Sequence, residues 1–132
     1  LPKDHPETLK TATGLAILLT KMSRFDEAEE LFRNVIDSTR SFNHFEALFS
    51  YGRCLMEEGK LDEAGPVLTE TFDSRKRDLG VDHPNTLIAM KQIVEFHQRR
   101  NCQKEACEWY QDYIVLRRAS LDRYLPENDH IL

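Results

Sequence analysis

The sequence predicts an all-α protein built as an α-solenoid of three helix-turn-helix hairpins. Glu-Ala pairs place Ala28, Ala64 and Ala106 at spacings of 36 and 42 residues, which marks an internal repeat. Around each alanine the apolar residues recur every three or four positions, as on one face of a helix, and do not alternate as in a strand. Repetition and helical spacing together favour stacked hairpins over a single irregular helical domain.

The first hairpin shows the pattern most clearly. A polar break at Ser23-Arg24 separates two apolar stripes, which predicts helices over 6–22 and 26–40. The first stripe contains Leu9, Ala12, Leu15, Ala16 and Leu19, and the second contains Phe25, Ala28, Leu31, Phe32, Val35 and Ile36.

The second and third hairpins follow the same register, with predicted helices over 44–58, 62–78, 84–100 and 103–124. Gly59 stands where a helix C-cap glycine is expected. Gly65-Pro66 predicts a late start or a kink in the fourth helix, because proline beyond the first turn removes a backbone hydrogen bond. Gln103-Lys104 stands where the first unit has Phe25-Asp26 and predicts a looser turn.

A nearly identical phrase precedes two of the hairpins: "KDHPETL" from Lys3 and "VDHPNTL" from Val81. Proline suits the first helical turn and disfavours the α conformation in the residue before it. His5 and His83 are therefore predicted helix N-caps, each next to an aspartate near the positive end of the helix. A seam between repeats explains the phrase better than a paired catalytic site.

The repeated residues resemble the tetratricopeptide repeat, in the longer form of kinesin light chains. Leu15-Ala16, Tyr51-Gly52, Phe32 and the Glu-Ala pairs match the packing positions of that family, whereas Gly14, Ser50 and Gln92 replace its usual asparagine. The resemblance implies right-handed stacking and one domain over 1–132. Its units span about 6–42, 43–80 and 81–124, and 125–132 form a further seam or a tail.

We expect this domain to be a segment of a longer array. In that case an apolar edge at Tyr113, Leu116 and Leu121 remains exposed. It would either drive self-association or be covered by 125–132.

No constellation of side chains predicts an enzyme, a metal site or a cofactor. His97, Cys102 and Cys107 are too loosely spaced for zinc, and Trp109, Tyr110 and Tyr113 fit a helical core better than a nucleic-acid surface. The net charge of −5 argues against nucleic acid, and no apolar run is long enough to cross a membrane. Three cysteines without a CxxC motif favour a reducing, cytoplasmic location.

By its resemblance, the chain is expected to be a scaffold that binds a protein or peptide in a concave groove lined by the first helix of each unit. The alternative is an architectural segment without its own ligand, such as the sensor region of a nucleotide-binding signalling protein. Register places these residues in the groove: Lys10, Thr13, Ile17, Lys21, Glu46, Phe49, Arg53, Glu57, Lys91, Glu95, Gln98 and Arg99.

Overall fold

The computed structural model describes residues 5–38 and 44–124, and all regular structure in these ranges is helical. The predicted all-α fold is confirmed. The bounds agree with prediction to within one residue, except that the predicted end of the second helix at 40 lies outside the described residues. The helices are α1 (Pro6–Lys21), α2 (Phe25–Ser38), α3 (His44–Glu58), α4 (Leu61–Leu79), α5 (Pro84–Arg99) and α6 (Gln103–Tyr124).

Helices α1 and α5 begin with the same cap, as the seam phrase predicts. His5 has φ −67° and ψ 136°, and its Nδ1 accepts a hydrogen bond from the Glu7 N–H at 3.2 Å. His83 has φ −68° and ψ 139°, and its Nδ1 accepts from the Asn85 N–H at 3.1 Å. A proline occupies the first turn after each histidine. Each seam therefore fixes a helix start through a local side-chain contact.

The turns inside the three hairpins are equivalent. Ser23, Gly59 and Asn101 have φ values of 59°, 91° and 60°. In each turn the N–H of this residue bonds to the carbonyl three positions earlier, at 3.0–3.1 Å. The following N–H bonds to the carbonyl five positions before it, at 2.9 Å. The prediction of a looser third turn is wrong, because these bonds belong to the backbone and asparagine tolerates positive φ.

Helix α4 begins at Leu61, so the prediction of a late start is also wrong. The Ala64 N–H bonds to the Lys60 carbonyl at 3.0 Å, which closes the first turn before Pro66 is reached. Pro66 lies inside the helix and has no N–H to donate.

The chain divides within α4, between Leu68 and Thr69, into two compact units. In the first unit, α3 packs against both α1 and α2. Its main apolar core contains Ala16, Leu19, Ala28, Phe32 and Cys54. In the second unit α5 packs on α6, and the rings of Phe72 and Trp109 meet edge to face at 5.4 Å.

The three repeat alanines are buried, as their register predicts: Ala28 and Ala64 have no exposed surface, and Ala106 is 4% exposed. Leu15 departs from the prediction. Its spacing predicts the packed face, but the side chain is 49% exposed. The register-equivalent residue of α3, Tyr51, packs against the core of the first unit.

Candidate functional site

The predicted groove residues of the first unit lie on α1 and α3, which contact each other. Lys10, Lys21, Glu46 and Glu57 are exposed, and Ile17 is half-buried against the apolar core. The exposed members of this face therefore carry charges of both signs.

Phe49 and Arg53 form the most distinctive pair on this face. The guanidinium carbon of Arg53 lies 6.0 Å from the centroid of the Phe49 ring, and Arg53 Nη1 lies 3.9 Å from Glu57 Oε1. Both residues are half-buried. A cation held over an aromatic ring contributes about 0.5–1 kcal/mol at an accessible site. The two side chains thus present a combined apolar and cationic surface one helical turn long.

Thr13 is a correction to the predicted groove. Its side chain is only 6% exposed, and its hydroxyl donates to the Leu9 carbonyl at 2.9 Å. Register alone places it on the open face, but contact with the neighbouring helices buries that part of α1. Thr13 is therefore a packing residue.

In the second unit the predicted groove residues lie on α5. Lys91, Gln98 and Arg99 are exposed and Glu95 is half-buried, with Arg99 Nη2 3.3 Å from Glu95 Oε1. This ion pair occupies the register positions of Arg53 and Glu57 with the charges exchanged. Lys91 also borders a cleft of about 560 Å³ along α6. The two units therefore offer different charge patterns at equivalent positions.

A charge cluster centred on the buried Glu29 lies between α2 and α3, and the sequence analysis did not single it out. Glu29 has a side chain only 3% exposed, and it accepts a hydrogen bond from Lys60 Nζ at 2.9 Å. Lys60 Nζ also lies 3.5 Å from Glu58. Carboxylate oxygens of Asp26, Glu29 and Glu58 lie within 4.8 Å of one another. Lys60 supplies the cation that compensates these charges.

Within this cluster the pKa values of Glu29 and Glu58 shift in opposite directions. Burial, and then the hydrogen bond and negative charge of Glu29, raise the pKa of Glu58. Burial also tends to raise the pKa of Glu29, but hydrogen bonds from Glu58 and Lys60, with the charges of Lys60 and Arg33, bring it below its usual value. Glu29 is therefore the ionised partner, and Glu58 holds a proton more readily.

The residues considered for metal binding do not converge. Within the described ranges, His97, Cys102 and Cys107 form no cluster of three ligand atoms. His97 is half-buried, and burial followed by the charge of Arg100 lowers its pKa. Its Nδ1 is buried without a hydrogen-bond partner in that part of the chain.

Two stacked tyrosines on α6 differ in exposure. Tyr110, predicted in the core, is 46% exposed. Tyr113, which the sequence places both in the core and at the open edge, is 8% exposed and therefore belongs to the core. Their rings stack at 5.7 Å, and the Tyr113 hydroxyl accepts a hydrogen bond from Arg117 at 3.3 Å. Tyr110 and Arg117 thus cover Tyr113. Leu116 and Leu121, also predicted at the edge, are half-buried.

Comparisons with known proteins agree with this architecture. Residues 8–41 match the sequence model of the tetratricopeptide repeat. A comparison with curated proteins gives no match. No helix within the described ranges is long and apolar enough to cross a membrane.

Two solved structures are similar to the chain. One is a singly substituted form of a Podosopora anserina protein described as a kinesin light chain with nearly identical TPR-like repeats. It has 20% identity and a TM-score of 0.78, with 96% of this chain and 61% of that one covered. A second structure, described in the same words but without the substitution, gives 20% identity and a TM-score of 0.76, with coverage of 88% and 58%. The chain thus spans about three fifths of those proteins.

The repeated hairpins define an α-helical repeat protein. With the family match and the structural likeness, the chain has the fold of a tetratricopeptide-repeat array of the kinesin-light-chain-like type.

Proposed function

We propose that this chain is a protein-interaction scaffold that binds a peptide segment on the face formed by the first helices of its hairpins. Tetratricopeptide repeats are generally protein-interaction scaffolds and generally lack enzymatic activity. The observation that supports the proposal most directly is the pairing of Phe49 with Arg53 on α3.

The chemistry of this pair suits peptide recognition. Aromatic and arginine side chains are enriched among the residues that dominate binding energy. Phe49 offers an apolar surface, and Arg53 offers a planar donor already oriented by Phe49 and Glu57. Because the arginine is held before a partner arrives, binding loses less side-chain entropy.

The exposed charges around the pair add selectivity. Lys10 and Lys21 on α1 and Glu46 on α3 are exposed in the same unit. Complementary charges of this kind steer association and reject partners of the wrong pattern.

The test is selection of peptides from a random display library on the purified chain, followed by calorimetric titration of the selected peptides. The double variant Phe49→Ala, Arg53→Glu should weaken binding by about 30-fold or more, which corresponds to about 2 kcal/mol. Asn34→Glu is the control, because it adds a charge to an exposed position of α2.

Far-ultraviolet circular dichroism must show unchanged helicity for each variant. If the double variant binds the selected peptides as tightly as the parent, the site is not on this face. If the library yields no binder, the architectural alternative is favoured.

We also infer a reducing, cytoplasmic environment. Cys54, Cys102 and Cys107 are free thiols, and an odd number of cysteines without a pairing pattern is typical of such compartments. Fractionation of cells that express the whole parent protein tests this inference.

A further inference from the structure

The C-terminal part of helix α6 carries a sequence pattern that its packing does not require. Arg117 and Arg118 stand three and two positions before Ser120, and the apolar Leu121 follows it directly. Arginine-directed serine kinases select this pattern, because acidic side chains in their substrate groove bind the two guanidinium groups and an apolar pocket binds the residue after the serine. No other serine or threonine of the sequence has arginine at both positions. The pattern therefore singles out one hydroxyl group of the chain.

Ser120 lies on the buried stripe of α6. The buried residues Ala106, Tyr113 and Ser120 are seven positions apart, so they share one side of the helix. Ser120 is 5% exposed, whereas Arg117 and Arg118 are both exposed. A kinase therefore meets the two arginines on the folded surface, and it reaches the hydroxyl group only when the end of α6 opens.

Two side-chain pairs, which we name the seam clamp, hold the end of α6 against the start of α5. Arg123 Nη1 donates a hydrogen bond to Asp82 Oδ1 at 3.0 Å. The ring of Tyr124 meets the ring of His83 edge to face, with 5.4 Å between the centroids. Both pairs join α6 to residues of the Asp-His-Pro phrase before α5. Closure of this end of α6 thus depends on the clamp.

The clamp holds the helix end only weakly. The side chain of Arg123 is 63% exposed, so water screens its charge, while the side chain of Asp82 is 12% exposed. An accessible ion pair of this kind changes an equilibrium by only about 1.5- to 5-fold. The ends of helices also open at lower cost than their interiors. Opening of the last turns of α6 therefore needs no unfolding of the rest of the chain.

We propose that Ser120 is a phosphorylation site for an arginine-directed serine kinase, and that the phosphate group holds the seam clamp open. In the open state the Ser120 hydroxyl oxygen attacks the γ-phosphorus of ATP bound to the kinase. The bond from that phosphorus to the β,γ-bridging oxygen breaks, and ADP leaves with the bridging oxygen. The serine proton passes to the catalytic carboxylate of the kinase.

The phosphate group opposes closure for two reasons. Its charge cannot return to a position that is 5% exposed without losing most of its hydration. A negative charge near the C-terminal end of a helix is also unfavourable. Both effects favour the open form of the helix end.

The same phosphate group competes with Asp82 for Arg123. Arg123 lies three positions after Ser120, which is within reach of a phosphoserine on the same helix. Once Arg123 has left Asp82, the clamp keeps only the contact between Tyr124 and His83. Because His83 caps α5 through the Asn85 N–H, release of the clamp also loosens the start of α5.

The first test is phosphorylation of the whole chain by the catalytic subunit of a cyclic-AMP-dependent protein kinase with Mg²⁺ and ATP. Mass spectrometry should find one phosphate, on Ser120, and none in the Ser120→Ala variant. The whole chain should react more slowly than a synthetic peptide of residues 115–124, because only its open form is a substrate. The ratio of the two rates measures the open fraction.

Asp82→Asn tests the clamp and leaves the recognition sequence intact. It removes the ion pair with Arg123, so phosphorylation of the whole chain should become about 2- to 5-fold faster. Asp73→Asn is the matched control, because it makes the same change at an exposed position of α4. Asp73→Asn should react at the parental rate.

Hydrogen exchange tests the effect of the phosphate group on the fold. In the phosphorylated chain the amide protons of 119–124 and of Asn85 should exchange at least about 10-fold faster than in the unmodified chain. The amide protons of α1 lie in the other compact unit and provide the internal control, with unchanged rates.

Three results overturn the proposal. Absence of phosphate on Ser120, under conditions that fully modify the peptide, means that the fold hides the site permanently. An unchanged rate for Asp82→Asn means that the clamp does not control access. Phosphorylation without faster exchange at Asn85 means that the modification does not reach the start of α5.

Discussion

Gly52 allows α3 and α4 to approach closely, and replacing it with alanine should destabilise the first unit. A Cβ atom at this position would lie 2.5 Å from Leu68 Cδ2 and 3.5 Å from Leu68 Cγ. Carbon atoms prefer separations of about 3.5–4.0 Å. Leu68 is 1% exposed, so it cannot turn into solvent to make room.

The magnitude follows from two opposing effects. Alanine in a helix interior is about 1 kcal/mol more favourable than glycine. Overpacking a buried contact costs about 1–3 kcal/mol. Gly52→Ala should therefore lower the free energy of unfolding by up to about 2 kcal/mol.

Gly14→Ala is the matched control, because Gly14 lies inside α1 and a Cβ there has no atom within 4 Å. It should stabilise by up to about 1 kcal/mol. The difference between the two variants isolates the steric cost of about 1–3 kcal/mol, or roughly 3–5 °C in Tm per kcal/mol. Urea titration followed by circular dichroism measures it.

Equal stabilisation by Gly14→Ala and Gly52→Ala would refute the reasoning. The double variant Gly52→Ala, Leu68→Val gives an independent check, because valine has no Cδ atom to meet the new methyl group. It should be more stable than the sum of the two single effects predicts, by at least about 0.5 kcal/mol.

Four further changes probe other parts of the fold. Ala64→Leu should cost about 1–3 kcal/mol, because this alanine has no exposed surface; a parent-like melting curve would contradict the repeat register. Gly59→Ala should cost about 1–2 kcal/mol through its φ of 91° alone, since the space around it is open; an unchanged Tm would mean that the turn relaxes. His5→Ala should cost about 0.5–2 kcal/mol by removing the acceptor for the Glu7 N–H, and an undiminished urea midpoint would show that water replaces the cap. Glu58→Gln should raise Tm at neutral pH. Because folding raises the pKa of Glu58, this carboxyl group contributes to stability at pH values below the pKa of an ordinary carboxyl group. That contribution is lost as the pH rises through the pKa of Glu58 in the folded protein. The gain should therefore vanish in acid, and a gain at low pH would contradict this assignment.

Local features of this fold could be predicted from the sequence, whereas features that depend on neighbouring helices could not. The His5 cap and the Gly59 turn are set by residues a few positions apart, so their sequence signals are sufficient. The Glu29–Lys60 bond joins residues 31 positions apart, and it depends on how α2 packs against α3.

The candidate site shows the same limit. Register correctly places Lys10 and Lys21 on an exposed surface. It cannot show that the side chain of Thr13 is buried while that of Leu15 is exposed. It places Tyr110 in the core, where the structure has it 46% exposed, and it allows both a core and an edge position for Tyr113, because both residues satisfy helical spacing. Only the packing of α6 distinguishes them.

The hairpin turns are equivalent, and much of the difference in repeat length lies at the end of the second helix, because α4 extends 15 residues beyond Ala64 and α2 extends 10 residues beyond Ala28. From each capping histidine to the positive-φ residue of its hairpin the distance is 18 residues, from His5 to Ser23 and from His83 to Asn101. The repeat alanines, by contrast, are 36 and 42 residues apart. One residue inserted within a first helix rotates every later side chain by about 100°, which removes its apolar stripe from the core. A seam absorbs the same insertion without rotating either helix. Because Cys54 of α3 lies in the same core as Ala16 of α1 and Phe32 of α2, a hairpin removed at its seams takes part of its neighbour's core with it.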